Sequence, residues 1–122
     1  MKFTNGRYYF TKHEVYYADR TIASFIYQLL KRYKSANRVH YPGYDEAETP
    51  EEWEAMLDEF IWLFDQIARG SPDSPVIKCN DTYKDEAEYK QVMSDEKAYE
   101  KRGREAMRLF AKFYSELWDA DD

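Results

Sequence analysis

Three stretches of the chain repeat apolar residues at helical spacing. Between Asp19 and Ser35, the residues Ile22, Phe25, Ile26, Leu29, Leu30 and Tyr33 recur three and four positions apart, which predicts an amphipathic helix over 19–35. Asp19 suits its N-cap. Lys31, Arg32 and Lys34 place positive charge in the last turn, where the helix dipole favours it. Thr49-Pro50-Glu51-Glu52 reads as a helix start: Thr at the cap, Pro at the first helical position and Glu three residues on. The stripe that follows, Trp53, Met56, Leu57, Phe60, Ile61, Phe64 and Ile67, predicts a helix over 49–69. Gly70 stands at the expected C′ position, and Pro72 and Pro75 prevent continuation. From Tyr83 to Trp118 the pattern is again helical. Ser94-Asp95 reads as a fresh cap inside it, so a break is expected, with an additional helix over 83–93 and a main one over 95–118. The main piece steps through Tyr99, Gly103, Ala106, Phe110, Phe113 and Leu117.

The remaining segments are irregular in pattern. Residues 1–17 read as irregular or short extended structure, with Asn5-Gly6 as the turn of a short hairpin. Residues 71–82 read as a linker, in which Pro75-Val76-Ile77-Lys78-Cys79 is either a short strand or a segment pinned on the core. The fold expected is mainly α: one domain over 1–122, a small antiparallel bundle of three to four helices with a short N-terminal hairpin. The competing arrangement makes a small sheet from 1–10 and 76–79 beside the helices. The expected core is Ile22, Phe25, Ile26, Leu29, Trp53, Leu57, Phe60, Ile61, Phe64, Ile67, Phe110, Phe113, Tyr114 and Leu117. Beside the last stripe lie Met107, Tyr114 and Trp118. That surplus predicts a homodimer through Tyr114 and Trp118, unless both other helices cover it.

Chemistry narrows the function classes. The four glycines, Gly6, Gly43, Gly70 and Gly103, are too far apart for a phosphate-cradling loop. Cys79, His13 and His40 lack zinc-ligand spacing, so no metal or cofactor is expected. A magnesium-dependent nucleotide hydrolase needs paired acidic motifs. Here Ala55 stands where a Glu-Glu-x-x-Glu motif would place its last Glu, so catalytic residues are not assigned. No apolar run is long enough to span a membrane, no signal peptide is visible, and the single cysteine suits a reducing compartment.

Charge divides the chain. Residues 1–44 hold eight basic and two acidic residues, while the net charge of the whole is -6. Between Asp45 and Asp65 there are nine acids and no base. Glu51, Glu52, Glu54, Asp58, Glu59 and Asp65 therefore form a candidate acidic face, able to bind a protein partner by imitating a phosphate array. Alternatively, the basic N-terminal part packs beside this helix and neutralises it. The tyrosines suggest a second site. Arg7, Tyr8, Tyr9, Lys12, Tyr16, Tyr17, Arg32 and Arg38 interleave rings with cations, as a nucleotide-sequestering site requires for stacking and phosphate contact. A sequence pI near 5.0 argues against general nucleic-acid binding.

Two stretches carry a resemblance. One is Tyr41-Pro42-Gly43 followed by Thr49-Pro50-Glu51-Glu52-Trp53 and Ile61-Trp62-Leu63-Phe64. The other runs from Gly103 through Leu109-Phe110-Ala111-Lys112-Phe113-Tyr114 to Leu117-Trp118-Asp119. In this order they resemble a family of small acidic helical proteins encoded by bacteriophages and prophages, one with no assigned activity. The resemblance implies a mobile-element origin and a bacterial host cytoplasm. With the acidic face, it leads to the expectation of a non-enzymatic protein that binds a host protein, such as a component of antiviral defence.

Overall fold

A computed structural model describes residues 1–119. They are mainly helical, with a two-stranded antiparallel hairpin at the N-terminal end, as the pattern predicts. Strands β1 (Lys2–Thr4) and β2 (Arg7–Tyr9) pair Phe3 with Tyr8, and the two rings stand 4.7 Å apart. Asn5 and Gly6 both take positive φ, 54° and 75°, the backbone a two-residue hairpin turn demands. The hairpin is followed by α1 (Lys12–Tyr16), whose start is a full capping box between Thr11 and Glu14.

The main frame is α2 (Ala18–Ser35), α3 (Pro50–Ala68) and α5 (Glu86–Phe113). Thr49 caps α3 by accepting from the Glu52 N–H at 3.1 Å, and Pro50 takes the first helical position. At the other end, Ser71 N–H donates to Gln66 O at 2.7 Å and Gly70 turns left-handed at φ 76°, the stop its sequence anticipates. Helix α3 lies between α2 and α5, antiparallel to both: Lys34 meets Asp58 on one side, and Tyr99 meets Gln66 on the other. Among the described residues, α2 and α5 have no close backbone contact with each other. Accordingly α3 is buried on both flanks, through Trp53, Met56, Leu57, Phe60, Leu63 and Phe64.

Several expectations need correction. Residues 75–79 are not a strand but a single helical turn, α4 (Pro75–Cys79), held against α5, and the hairpin pairs only with itself. Ser74-Pro75 repeats the cap-and-proline start of α3: the Ser74 hydroxyl accepts from Ile77 N–H. The break at Ser94-Asp95 does not occur, and α5 is continuous for 28 residues. Its cap is Asp85, which accepts from Glu88 N–H at 2.8 Å, while Asp95 bonds Gln91 one turn back on the exposed side. A cap-type residue in mid-helix costs only a few tenths of a kcal/mol against a good helix former, too little to break a helix that packing holds. Helix α5 ends at Phe113, followed by a tighter turn over Tyr114–Glu116 instead of continuing to Trp118.

The expected core is misphased on α2. Ile22, Phe25 and Leu29 are exposed, as is Tyr114 after α5. The α2 residues buried against α3 are Ala23 and Leu30, with Ile26, Tyr27 and Tyr33 partly buried beside them. The apolar arc of α2 is wider than α3 can cover, and the small Ala23 lets the backbones close on that side instead.

The end of the described chain clasps the α2–α3 connection. His40 stacks on Trp118 at 3.7 Å between ring centres, and its Nε2 lies 2.9 Å from Glu116. The Val39 and His40 N–H groups donate to Asp119, and the Tyr33 hydroxyl donates to Trp118 O at 2.8 Å.

Candidate functional site

Two surfaces bear on function. On α3, four of the six carboxylates of the acidic face stand against cations of this same chain. Arg38 donates to Glu54, Lys34 lies 3.0 Å from Asp58, Arg69 forks onto Asp65 at 2.7 and 2.6 Å, and Arg102 forks onto Glu59 at 2.9 and 3.1 Å. Arg69 also holds the Asp65 carboxyl below its usual range. Among the described residues, Glu51 and Glu52, in the first turn, have no cation within ion-pair distance; Glu52 accepts a hydrogen bond from the Thr49 hydroxyl. The complementarity between the basic N-terminal part and the acidic helix is thus partly spent inside the molecule.

Arg38 is the clearest example. Its side chain is 5% exposed, donates to the Tyr33 and Lys34 carbonyls as well as to Glu54, and lies over the Tyr33 ring at 4.4 Å. It is separated from the other residues of the ring-and-cation set. Arg7, Tyr8 and Tyr9 lie on β2, Lys12 and Tyr16 on α1, Tyr17 at the α1–α2 junction, and Arg32 on the exposed last turn of α2. Tyr16 packs edge-on to Tyr17 at 4.8 Å, and the Arg20 guanidinium stands 5.2 Å from the Tyr17 ring centre.

Two open clefts lie along α2, the larger against α1 and the smaller against the hairpin, and they share Met1, Thr21 and Phe25. The larger has a volume of about 840 Å³ and includes His13, Tyr17, Arg20, Ser24, Gln28 and Leu29 in its lining. The smaller, about 220 Å³, is almost wholly apolar and is formed chiefly by Tyr8, Phe10, Ile22 and Phe25. Of the ring-and-cation set, only Tyr17 reaches the larger cleft and only Tyr8 the smaller. Sequence reasoning missed His13, Arg20 and Gln28, and it placed Ile22, Phe25 and Leu29 in the core. One signal was available: the apolar arc of α2 is broad, and no predicted element was left to cover its outer side.

Arg20 lines the larger cleft, and Arg32 follows Leu29 in the last turn of α2. Among the described residues, Lys12, Arg20, Lys31 and Arg32 have no carboxylate within ion-pair distance. The nearby acid Glu14 is engaged by the Met1 amino group and the Thr11 N–H, which hold its carboxyl below the usual range.

The seam between α3 and α5 is aromatic where Phe60 and Phe64 meet Phe110, and polar at its Gln66 end. Gln66 is buried, donates to Asp73 at 2.9 Å and accepts from the Tyr99 hydroxyl at 3.0 Å. Glu96, also buried, accepts from the Ser74 hydroxyl and from Val76 N–H. Among the described residues, no group of three or more His, Cys, Asp or Glu side chains is arranged to hold a metal ion. Nor is any helix long and apolar enough to cross a membrane. Trp118, expected with Tyr114 at a homodimer contact, lays one ring face on His40, while Tyr114 is exposed.

No family model, curated protein or solved structure matches the chain.

Proposed function

We propose that this is a non-enzymatic binding protein that acts by occupying a surface of another protein. The observation that carries this reading is the exposed apolar face of the N-terminal part, where Phe3, Tyr8, Phe10, Ile22, Phe25 and Leu29 are all about half exposed or more. Exposed apolar residues gathered around common clefts mark interaction sites on soluble proteins. The resemblance to phage-encoded proteins makes a protein of the bacterial host cytoplasm the partner, and a component of antiviral defence suits a viral protein that works by blocking. Nucleic-acid mimicry by the acidic face rests on Glu51 and Glu52, since the other four carboxylates are paired internally.

Affinity purification from an expressing bacterium tests the reading. A partner recovered with the wild-type chain is expected to be lost with the double variant Phe25→Glu/Leu29→Glu and kept with Glu51→Gln/Glu52→Gln. The opposite result assigns binding to the acidic face. A second reading, a small anionic ligand such as a nucleotide, is favoured by the Tyr17–Arg20 pair in a cleft of about 840 Å³, within the usual size of ligand pockets. A thermal-shift screen with mono-, di- and cyclic nucleotides checks it, and an unmoved melting temperature across the panel removes it.

A further inference from the structure

On the reading that the N-terminal face binds a protein, we infer that its occupant is an acidic amphipathic helix from another protein. The outer side of α2 presents Ile22, Phe25, Leu29 and Arg32 at successive steps of three, four and three, so they form one stripe along a rigid helix. Ile22, Phe25 and Leu29 are 60, 47 and 56% exposed, although α2 is otherwise well packed on α3. A helix laid along such a stripe offers its own apolar residues at the same spacing, the pattern of helix-in-groove recognition.

The clefts on either side of Phe25 define what that helix carries. The smaller one has Tyr8, Phe10 and Ile22 for walls, and its lining suits a single large apolar anchor. The larger one is open, and its lining includes His13, Arg20, Ser24 and Gln28, groups able to hydrogen-bond a carboxylate. Among the described residues, Arg20 in the larger cleft, Lys12 on α1 and Arg32 at the end of the stripe have no carboxylate within ion-pair distance, whereas Lys34 and Arg38 on the α3 side of the same helical region are already paired. Charge complementarity therefore selects an occupant with Asp or Glu flanking its apolar stripe. The same positive charge disfavours a second copy docking α2 on α2, which would bring two sets of these cations together.

The experiment selects from a displayed library of random peptides about 16 residues long, enough for four helical turns. The wild-type protein is the bait, and Phe25→Glu/Leu29→Glu is the counter-selection. Both positions are exposed, so circular dichroism should give the double variant the wild-type spectrum. Recovered peptides are expected to carry apolar residues at i, i+3 or i+4 and i+7 with an excess of Asp and Glu. They should bind at least tenfold more weakly to Arg20→Glu/Arg32→Glu, and more weakly as salt rises. Peptides that bind this face but are basic, uncharged or extended overturn the acidic helix and leave the proposed interface standing. No enrichment over the counter-selection overturns both. Light scattering that finds a wild-type dimer, dissolved by the double variant, makes the second copy the occupant and overturns the inference.

Discussion

Helices α2 and α5 both lay one side on α3, but they differ in what surrounds that contact. Along α5, Arg102 reaches Glu59, and Arg108 and Lys112 reach Glu46. Tyr99 meets the buried Gln66, and Glu96 is sealed under Ser74. Few unmatched polar groups remain in that seam. Along α2 the pairing stops at Lys34 and Arg38. Beyond them the outer side carries Ile22, Phe25 and Leu29 in solvent, and the nearby Arg20 and Arg32 meet no carboxylate at ion-pair distance among the described residues. Net charge alone does not show this. The chain is acidic overall, yet Arg20 and Arg32 on this side of it have no carboxylate within ion-pair distance among the described residues. What matters is which charges are still free after folding.

The contrast can be broken from either side. The largest effect belongs to the helix both flanks share. Phe60 is fully buried and meets Phe110 edge-on at 5.4 Å, so Phe60→Ala should cost roughly 3–5 kcal/mol in urea unfolding. That is a large share of the total for a domain of this size. On the α5 side, Glu96→Ala leaves the Ser74 hydroxyl and the Val76 N–H without their acceptor. A loss of about 1–3 kcal/mol is expected from the same measurement. An unchanged midpoint would show that α4 does not depend on α5.

Acid acts on the ion pairs of that same side. Lys112 and Arg108 hold the Glu46 carboxyl down to about 2. Because the folded value lies below the ordinary one of 4.5, the pairing contributes fully above about pH 4.5 and is lost as pH falls from there towards 2. Glu46→Gln should flatten that part of the stability–pH curve, and carboxyl chemical shifts should follow the wild-type titration directly. The smallest effect on stability is expected on the outer side of α2. Phe25→Glu/Leu29→Glu should leave the unfolding free energy measured in urea within about 0.5 kcal/mol of wild type. A large loss there would mean that these side chains stabilise the hairpin.

The elements were legible where local chemistry decides them. Thr49-Pro50 and Gly70 mark both ends of α3 correctly, and Asn5-Gly6 marks the hairpin, because caps and turns are read by neighbouring backbone groups. The same logic at Ser94-Asp95 misleads, since a cap residue stops a helix only where nothing continues to pack it. The phase of α2 was not legible. Ile22 and Ala23 differ in hydrophobicity in the direction that hides Ile22. The structure buries Ala23 because close approach of two helices needs a small residue at the contact. The acidic face was legible as a run of charges but not as a set of pairs, because Arg102 and Glu59 are 43 residues apart. The clefts beside Phe25 require three elements at once, and no single stretch announces them.

The clasp between the chain's end and the α2–α3 connection also has a kinetic side. Helix α3 pairs with α2 before it in the chain and α5 after it, so most of the frame can assemble across the connections 36–49 and 69–85, far shorter closures than the clasp makes. The clasp is different. Tyr33 meets Trp118 across 85 residues, and His40 meets Glu116 across 76. Such a closure gains little until α3 and α5 have docked, so it belongs to the last step of folding. By the same reasoning it is among the first contacts to open in the native protein. Amides at Val39 and His40, which donate to Asp119, should exchange with solvent well before those in the middle of α3.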